Sequence, residues 1–172
     1  MRPPLVLVTG MPGTGKTTLS QVLAGRLFLP LVAKDAVKES LWRVGATAQT
    51  FSALHALTAA HLDAGVGLVL EAAFHRGISE PEVRPHLARS VAVDVHCTAD
   101  LDVVRRRFEE RAGSEGRHVC HPDLEILAST GIETWPERYG RMELGIPVLE
   151  VDTTDGLVPS IDAIVAWVED QI

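Results

Sequence analysis

The chain has 172 residues, 46% of them apolar, with a formal charge of −7 and two cysteines. That length can bury a substantial core, and no apolar run approaches the ~20 residues that cross a membrane. Two cysteines are too few for a disulfide framework, and the acidic balance argues against a nonspecific nucleic-acid coat. Met1 to Val8 is too short and too soon broken by Gly10 for a secretory signal, so a cytoplasmic protein is expected.

Apolar bursts alternate with helical periods, the pattern of repeated βα units around a parallel sheet. Leu5-Val6-Leu7-Val8 reads as a buried strand, followed from Thr17 by a helix whose Leu19, Val22, Leu23 and Leu27 share an apolar stripe. Leu31-Val32-Ala33 is a second strand, Ala36 to Trp42 a helix, and Phe51 to Ala64 a longer helix stopped by Gly65. Gly67 to Leu70 is a third strand ending at Glu71, and Val91 to Cys97 a fourth. Leu101 to Arg111 is helical, Val148 to Val151 a fifth strand, and the last helix carries Ile161, Ile164, Val165, Val168 and Ile172. Residues 112–122 lapse into a polar, glycine-containing excursion that suits a mobile lid. Residues 132–145 give no clear pattern. With no repeat or composition break, one domain over residues 1–172 is expected.

Gly10-Met11-Pro12-Gly13-Thr14-Gly15-Lys16-Thr17 satisfies GxxxxGK[ST] at every fixed position, after a buried strand and at the opening of a helix. Glycines let backbone N–H groups turn inward around phosphate oxygens, and the helix points its positive end at the same anion. Gly13, Thr14, Gly15, Lys16, Thr17 and Thr18 are therefore expected to hold ATP. Lys16 places its charge on the β- and γ-phosphates, and the Thr17 hydroxyl ligates Mg2+.

Asp35 lies just past the second strand, on the edge where open parallel sheets bind ligands. There it can accept the proton of an attacking hydroxyl, or it can simply cap the helix beginning at Ala36. Glu71 ends the third strand, where its carboxylate can hold a magnesium-bound water or play a purely structural part. On the arginine-rich helix, Leu101, Val104 and Phe108 share the buried stripe. Arg107 and Arg111 lie along one edge of it, within reach of a site, and Arg106 points to solvent beside Glu109 and Glu110. His118-x-Cys120-His121 lacks the second ligand pair of a zinc site, and His55 and His61, six apart, fall on different helix faces. Trp42, Phe51, His75 and Arg76 are candidates for the border of an acceptor pocket.

In chain order, Val8-Thr9-Gly10-Met11-Pro12-Gly13-Thr14-Gly15-Lys16-Thr17-Thr18, Ala33-Lys34-Asp35, Leu70-Glu71-Ala72-Ala73-Phe74, Arg107-x-x-x-Arg111 and Val151-Asp152-Thr153-Thr154 form a set. The set resembles the small P-loop kinases of the AAA_33 type, among them the kinase domain of phage polynucleotide kinase, chloramphenicol phosphotransferase and zeta toxins. The resemblance implies an α/β P-loop NTPase fold, a three-layer sandwich whose five-stranded parallel sheet runs 2-3-1-4-5, with a short lid before the last strand. It also implies Asp35 as general base, Arg107 stacked near the adenine, Arg111 on the phosphates, and the loop after Asp152 beside the adenine ring. Glu71 departs from the pattern, since such kinases commonly carry Asp there.

The leading expectation is an ATP-dependent kinase acting on a hydroxyl of a small molecule, a metabolite or an antibiotic. A nucleic-acid 5′-hydroxyl is the runner-up acceptor, and a nucleotide-gated ATPase is the alternative from another class. A nucleoside monophosphate is disfavoured, because the Asp35 carboxylate would repel it. The sequence names neither the acceptor nor the oligomeric state.

Overall fold

The computed structural model describes residues 2–112, 114 and 116–172. Strands β1 (Pro4–Gly10), β2 (Leu31–Ala33), β3 (Leu68–Glu71), β4 (Val91–Thr98) and β5 (Val148–Asp152) pair in parallel in the order 2-3-1-4-5. The short apolar runs form strands because both faces of the sheet are covered: Leu5 through Val8 and Leu68 through Leu70 have no exposed surface. Register sets Val8 against Glu71 on one side and Val95 on the other. The central strand thus ends between Glu71 and Cys97.

Helices α1 (Lys16–Leu27), α2 (Lys34–Trp42), α3 (Thr50–Asp63), α4 (Glu80–Leu87), α5 (Leu101–Ala112), α6 (Asp123–Thr130), α7 (Trp135–Arg138) and α8 (Ile161–Gln171) occupy the connections. Alternation along the strands divides the core. Leu5, Leu7, Leu68 and Leu70 pack with Leu54 and Leu62 of α3 and Val83 of α4. Val6, Val8, Val69, Val93 and Val95 pack with Leu19 and Leu23 of α1 and Ile164, Val165 and Val168 of α8. The result is the expected three-layer α/β sandwich. A third cluster joins Met11 of the P-loop to Val104 and Phe108 of α5 and to Ile132, Trp135 and Tyr139. Of residues 132–145, patternless in the sequence, Ile132, Trp135 and Tyr139 thus pack with the phosphate loop, and Met142 and Leu144 join the first cluster. Among the described residues no helix is long and apolar enough to cross a membrane.

Some elements differ from expectation for identifiable reasons. The buried side of α1 is Lys16, Leu19, Ser20, Leu23 and Ala24. Val22, 42% exposed, sits about 120° from its centre at about 100° per residue. The expected final stripe loses Ile172, which lies beyond the end of α8 and is exposed. Helix α4 forms where the sequence shows Pro81 and Pro85. Pro81 falls in the first turn, where a proline costs little. Of the expected lid at 112–122, Gly113 and Glu115 lie outside the described residues, and Arg117, Cys120 and His121 make packed contacts.

Candidate active site

The phosphate loop takes its shape from backbone that only glycine tolerates. Gly10 has φ 125°, and a Cβ there would run into the Cys97 carbonyl. Gly15, at φ 76°, turns the chain into α1 from the left-handed region. Inside the loop the Met11 carbonyl accepts from the Thr14 hydroxyl at 2.8 Å and the Lys16 ammonium at 2.8 Å. Thr14 is fully buried, so its side chain holds the loop's shape and does not face the cleft. Burial lowers the Lys16 pKa against the pull of Glu71, Cys97 and Asp35, and the nearby Arg111 cation lowers it further. Both cations line the same cleft, where an anion can draw on the two charges together.

Glu71 is buried at the end of β3, and burial raises its carboxyl against Lys16, Lys34 and a hydrogen bond from Thr17. The Thr17–Glu71 pair offers two hard oxygen donors at the foot of the phosphate loop. That donor set fits Mg2+, which binds one or two side chains and takes its other ligands from water and phosphate. Among the described residues no three His, Cys, Asp or Glu side chains converge on a metal position. His118 accepts from the Cys120 backbone, and His121 contacts Glu39 at 2.9 Å.

Asp35 is not a cap. Helix α2 begins one residue earlier, at Lys34, with Ala33 in the cap position and no side-chain capping bond. The Asp35 carboxylate instead meets Lys34 at 2.8 Å, Arg117 at 3.6 Å and His121 at 3.9 Å. Burial alone would raise it, yet Lys34, His121 and Arg117 together hold it down at about 2.

On α5, Arg107 donates to the Thr153 carbonyl at 2.6 Å and the Thr153 hydroxyl at 3.1 Å, which ties it to the loop after β5. The Thr153 hydroxyl lies 3.0 Å from the Thr14 carbonyl and 3.1 Å from that of Thr98. Arg111 lies over the Phe108 ring at 4.5 Å and donates to Asp123. Arg106 is exposed, as its helical position predicts. Its expected pairing with Glu109 or Glu110 does not form among the described residues, and it is Arg105 that pairs, with Glu133.

A cleft of about 960 Å³ joins these groups. Of the expected residues, Gly13, Gly15, Lys16, Thr17, Thr18, Asp35, Glu71, Arg107 and Arg111 all line it. Phe51 and His75 line it too; Trp42 packs edge-on against His118, and Arg76 pairs with Glu143. Sequence reasoning placed Arg117 and His121 only in a polar lid stretch and missed Asp123 and Tyr139; the cleft presents all four. None lies in a motif, and their partners are distant or across a turn.

Beneath the loop, Thr9 donates to Asp94 at 2.7 Å and lies 2.8 Å from Nδ1 of His96. Among the described residues the second Asp94 oxygen has no hydrogen-bond partner, and burial pushes this carboxyl up to about 7.

Residues 5–129 match the AAA_33 family model, an AAA domain. A comparison with curated proteins finds no match. Among solved structures, a candidate kinase from Chloroflexus aurantiacus J-10-fl is 32% identical, with a TM-score of 0.83 and 100% of both chains covered. A gluconokinase from Sinorhizobium meliloti 1021 is 16% identical at TM-score 0.63, covering 98% of this chain and 93% of its own. The Mycobacterium tuberculosis APS kinase in complex with AMPPNP and APS is 22% identical at TM-score 0.64, covering 99% and 97%. The last two are similar in fold.

Proposed function

The chain belongs to the AAA_33 family of P-loop proteins, and from that premise we propose an ATP-dependent kinase that phosphorylates a hydroxyl of a small molecule. The observation that carries this reading is the convergence, in one cleft of about 960 Å³, of the phosphate loop with Asp35 and Arg111. That volume is at the upper end for a ligand pocket, enough for a nucleotide and a small acceptor together.

In this reading the triphosphate lies along Gly13 to Thr18, and Lys16 leaves the Met11 carbonyl to take the β- and γ-oxygens. Arg107, fixed to Thr153, borders the base. Arg111 stabilises charge on the oxygens of the transferring group, the main requirement of this reaction. Magnesium, held through Thr17 and Glu71, supplies further positive charge to the phosphates when bound. Asp35 receives the acceptor's hydroxyl proton. A carboxylate held at about 2 is a weak base. That suits phosphoryl transfer, where the transition state is loose and the carboxylate orients the hydroxyl before accepting its proton. Phe51, His75 and Tyr139 form the acceptor's wall, and residues 1–172 act as one kinase domain with 112–122 as its lid.

The test is a screen of hydroxyl compounds, sugars and antibiotics included, for acceptor-dependent ADP release. ATP hydrolysis that no acceptor stimulates would favour the nucleotide-gated switch.

A further inference from the structure

Asp123 opens α6, and its side chain is 3% exposed, yet it borders the cleft. Its carboxylate accepts from two arginines at once. Arg117 approaches side-on, Nε at 2.6 Å and Nη2 at 2.9 Å, and Arg111 meets the same two oxygens with its own Nε and Nη2 at 3.1 and 3.4 Å. The arginines are more open than the acid, 34% for Arg111 and 17% for Arg117. Asp123 is therefore the most enclosed of the three groups at this edge of the cleft. The Phe108 ring supports Arg111 from a second direction, and Arg117 reaches on to Asp35.

We propose that Asp123 is the positioning residue of the γ-phosphate site, holding Arg111 and Arg117 side by side so that both present free N–H groups to the terminal phosphate. The inference rests on the kinase reading above. Two guanidinium groups would otherwise repel one another, and long side chains would lose conformational freedom on being fixed. One buried carboxylate cancels one of the two charges, fixes both planes by forked contacts and leaves one net positive charge for the phosphate. It also adds Arg117, on the segment between α5 and α6, to the residues that touch the transferring group. Removing Arg117 from Asp35 as the phosphate draws it in would open Oδ2 to the acceptor, with Oδ1 staying beside Lys34 and His121.

The experiment is calorimetry on the full chain, wild type and Asp123→Asn, with AMPPNP and with ADP, each with magnesium. Asn keeps the shape but turns an amide N–H₂ toward guanidinium donors. AMPPNP should weaken about tenfold, the value of one charge-assisted contact, and ADP by no more than about twofold. Equal weakening of both nucleotides would overturn the proposal and make Asp123 a plain support of the lid segment. Tighter AMPPNP binding would overturn it too, since Asp123 would then be competing with the phosphate. If Asp123→Asn does not fold, Arg117→Lys serves: a point charge cannot make the forked contact, so the preference for AMPPNP over ADP should fall, and an unchanged preference overturns the proposal. Wild type that binds neither nucleotide would break the kinase reading itself. Wild type that binds both, with the preference unaltered in the variants, breaks only the role of Asp123.

Discussion

At the phosphate end of the cleft, Gly10 to Thr18 form one continuous segment whose shape comes from backbone angles and from bonds to the Met11 carbonyl. At the α2–α6 end, Asp35, Glu39, Arg117, His121 and Asp123 arrive from α2, α6 and the segment before α6, and charge holds them together. The first end is local and preformed; the second is a balance of ion pairs that a bound anion can redraw. Substitutions at the phosphate end should therefore abolish grip on the whole nucleotide, and those at the α2–α6 end should spare the grip on its diphosphate part and alter the hold on the terminal phosphate and the chemistry.

The sharpest way to break this comparison is Lys16→Ala. Turnover should vanish and ATP affinity should fall steeply, because the β- and γ-phosphates lose their fixed cation. Calorimetry showing parental affinity would mean that the loop does not hold a triphosphate.

Asp35→Asn is the counterpart at the α2–α6 end. Turnover should fall roughly 10²–10⁴-fold with ATP affinity within a few-fold of the parent, as expected for loss of a proton acceptor. Because the Asp35 carboxyl is held at about 2, below its ordinary 3.8, its ion pairs contribute stability above about pH 4 and lose it as pH falls toward 2. An acid limb of the pH–rate profile near neutrality would therefore belong to another group.

Arg111→Ala should lower turnover by roughly 10², the scale of one lost transition-state donor, and Arg106→Ala by no more than about twofold. Comparable small effects from both would reduce the α5 arginines to a charged surface.

The smallest effect tests the scaffold under the phosphate loop. Asp94 is held at about 7, above its ordinary 3.8, so its contribution is full below about pH 4 and is lost as pH rises through 7. Asp94→Asn should raise Tm at about pH 8 and change it little near pH 4, read by thermal melts at both values.

The same contrast explains what could be read in advance. The phosphate loop is a fixed spacing after a buried strand, so Gly13, Lys16 and Thr17 were identifiable from eight consecutive letters. Asp35 and Arg111 followed from position, one at a strand end and one at the edge of a helical stripe. Val22 misled because apolarity was taken for burial, whereas it faces the cleft. Helix α4 was hidden by its prolines, and α7 by a short run whose burial depends on Phe108 and Tyr139. Asp123 and Arg117 carry no periodic or motif signal. Their pairing exists only because α6 brings an acid under two arginines.

Thr153 has one hydroxyl proton and two carbonyls in range, one on the phosphate loop and one at the end of β4, while Arg107 of α5 donates to its oxygen. Four pieces of chain are thereby riveted at a single atom. The phosphate loop and the Arg107 side of the cleft are tied into one piece, like two teeth of the same comb. Any closing stroke on substrate falls to the opposite bank, where α2 and the chain leading into α6 meet across Asp35 and Arg117.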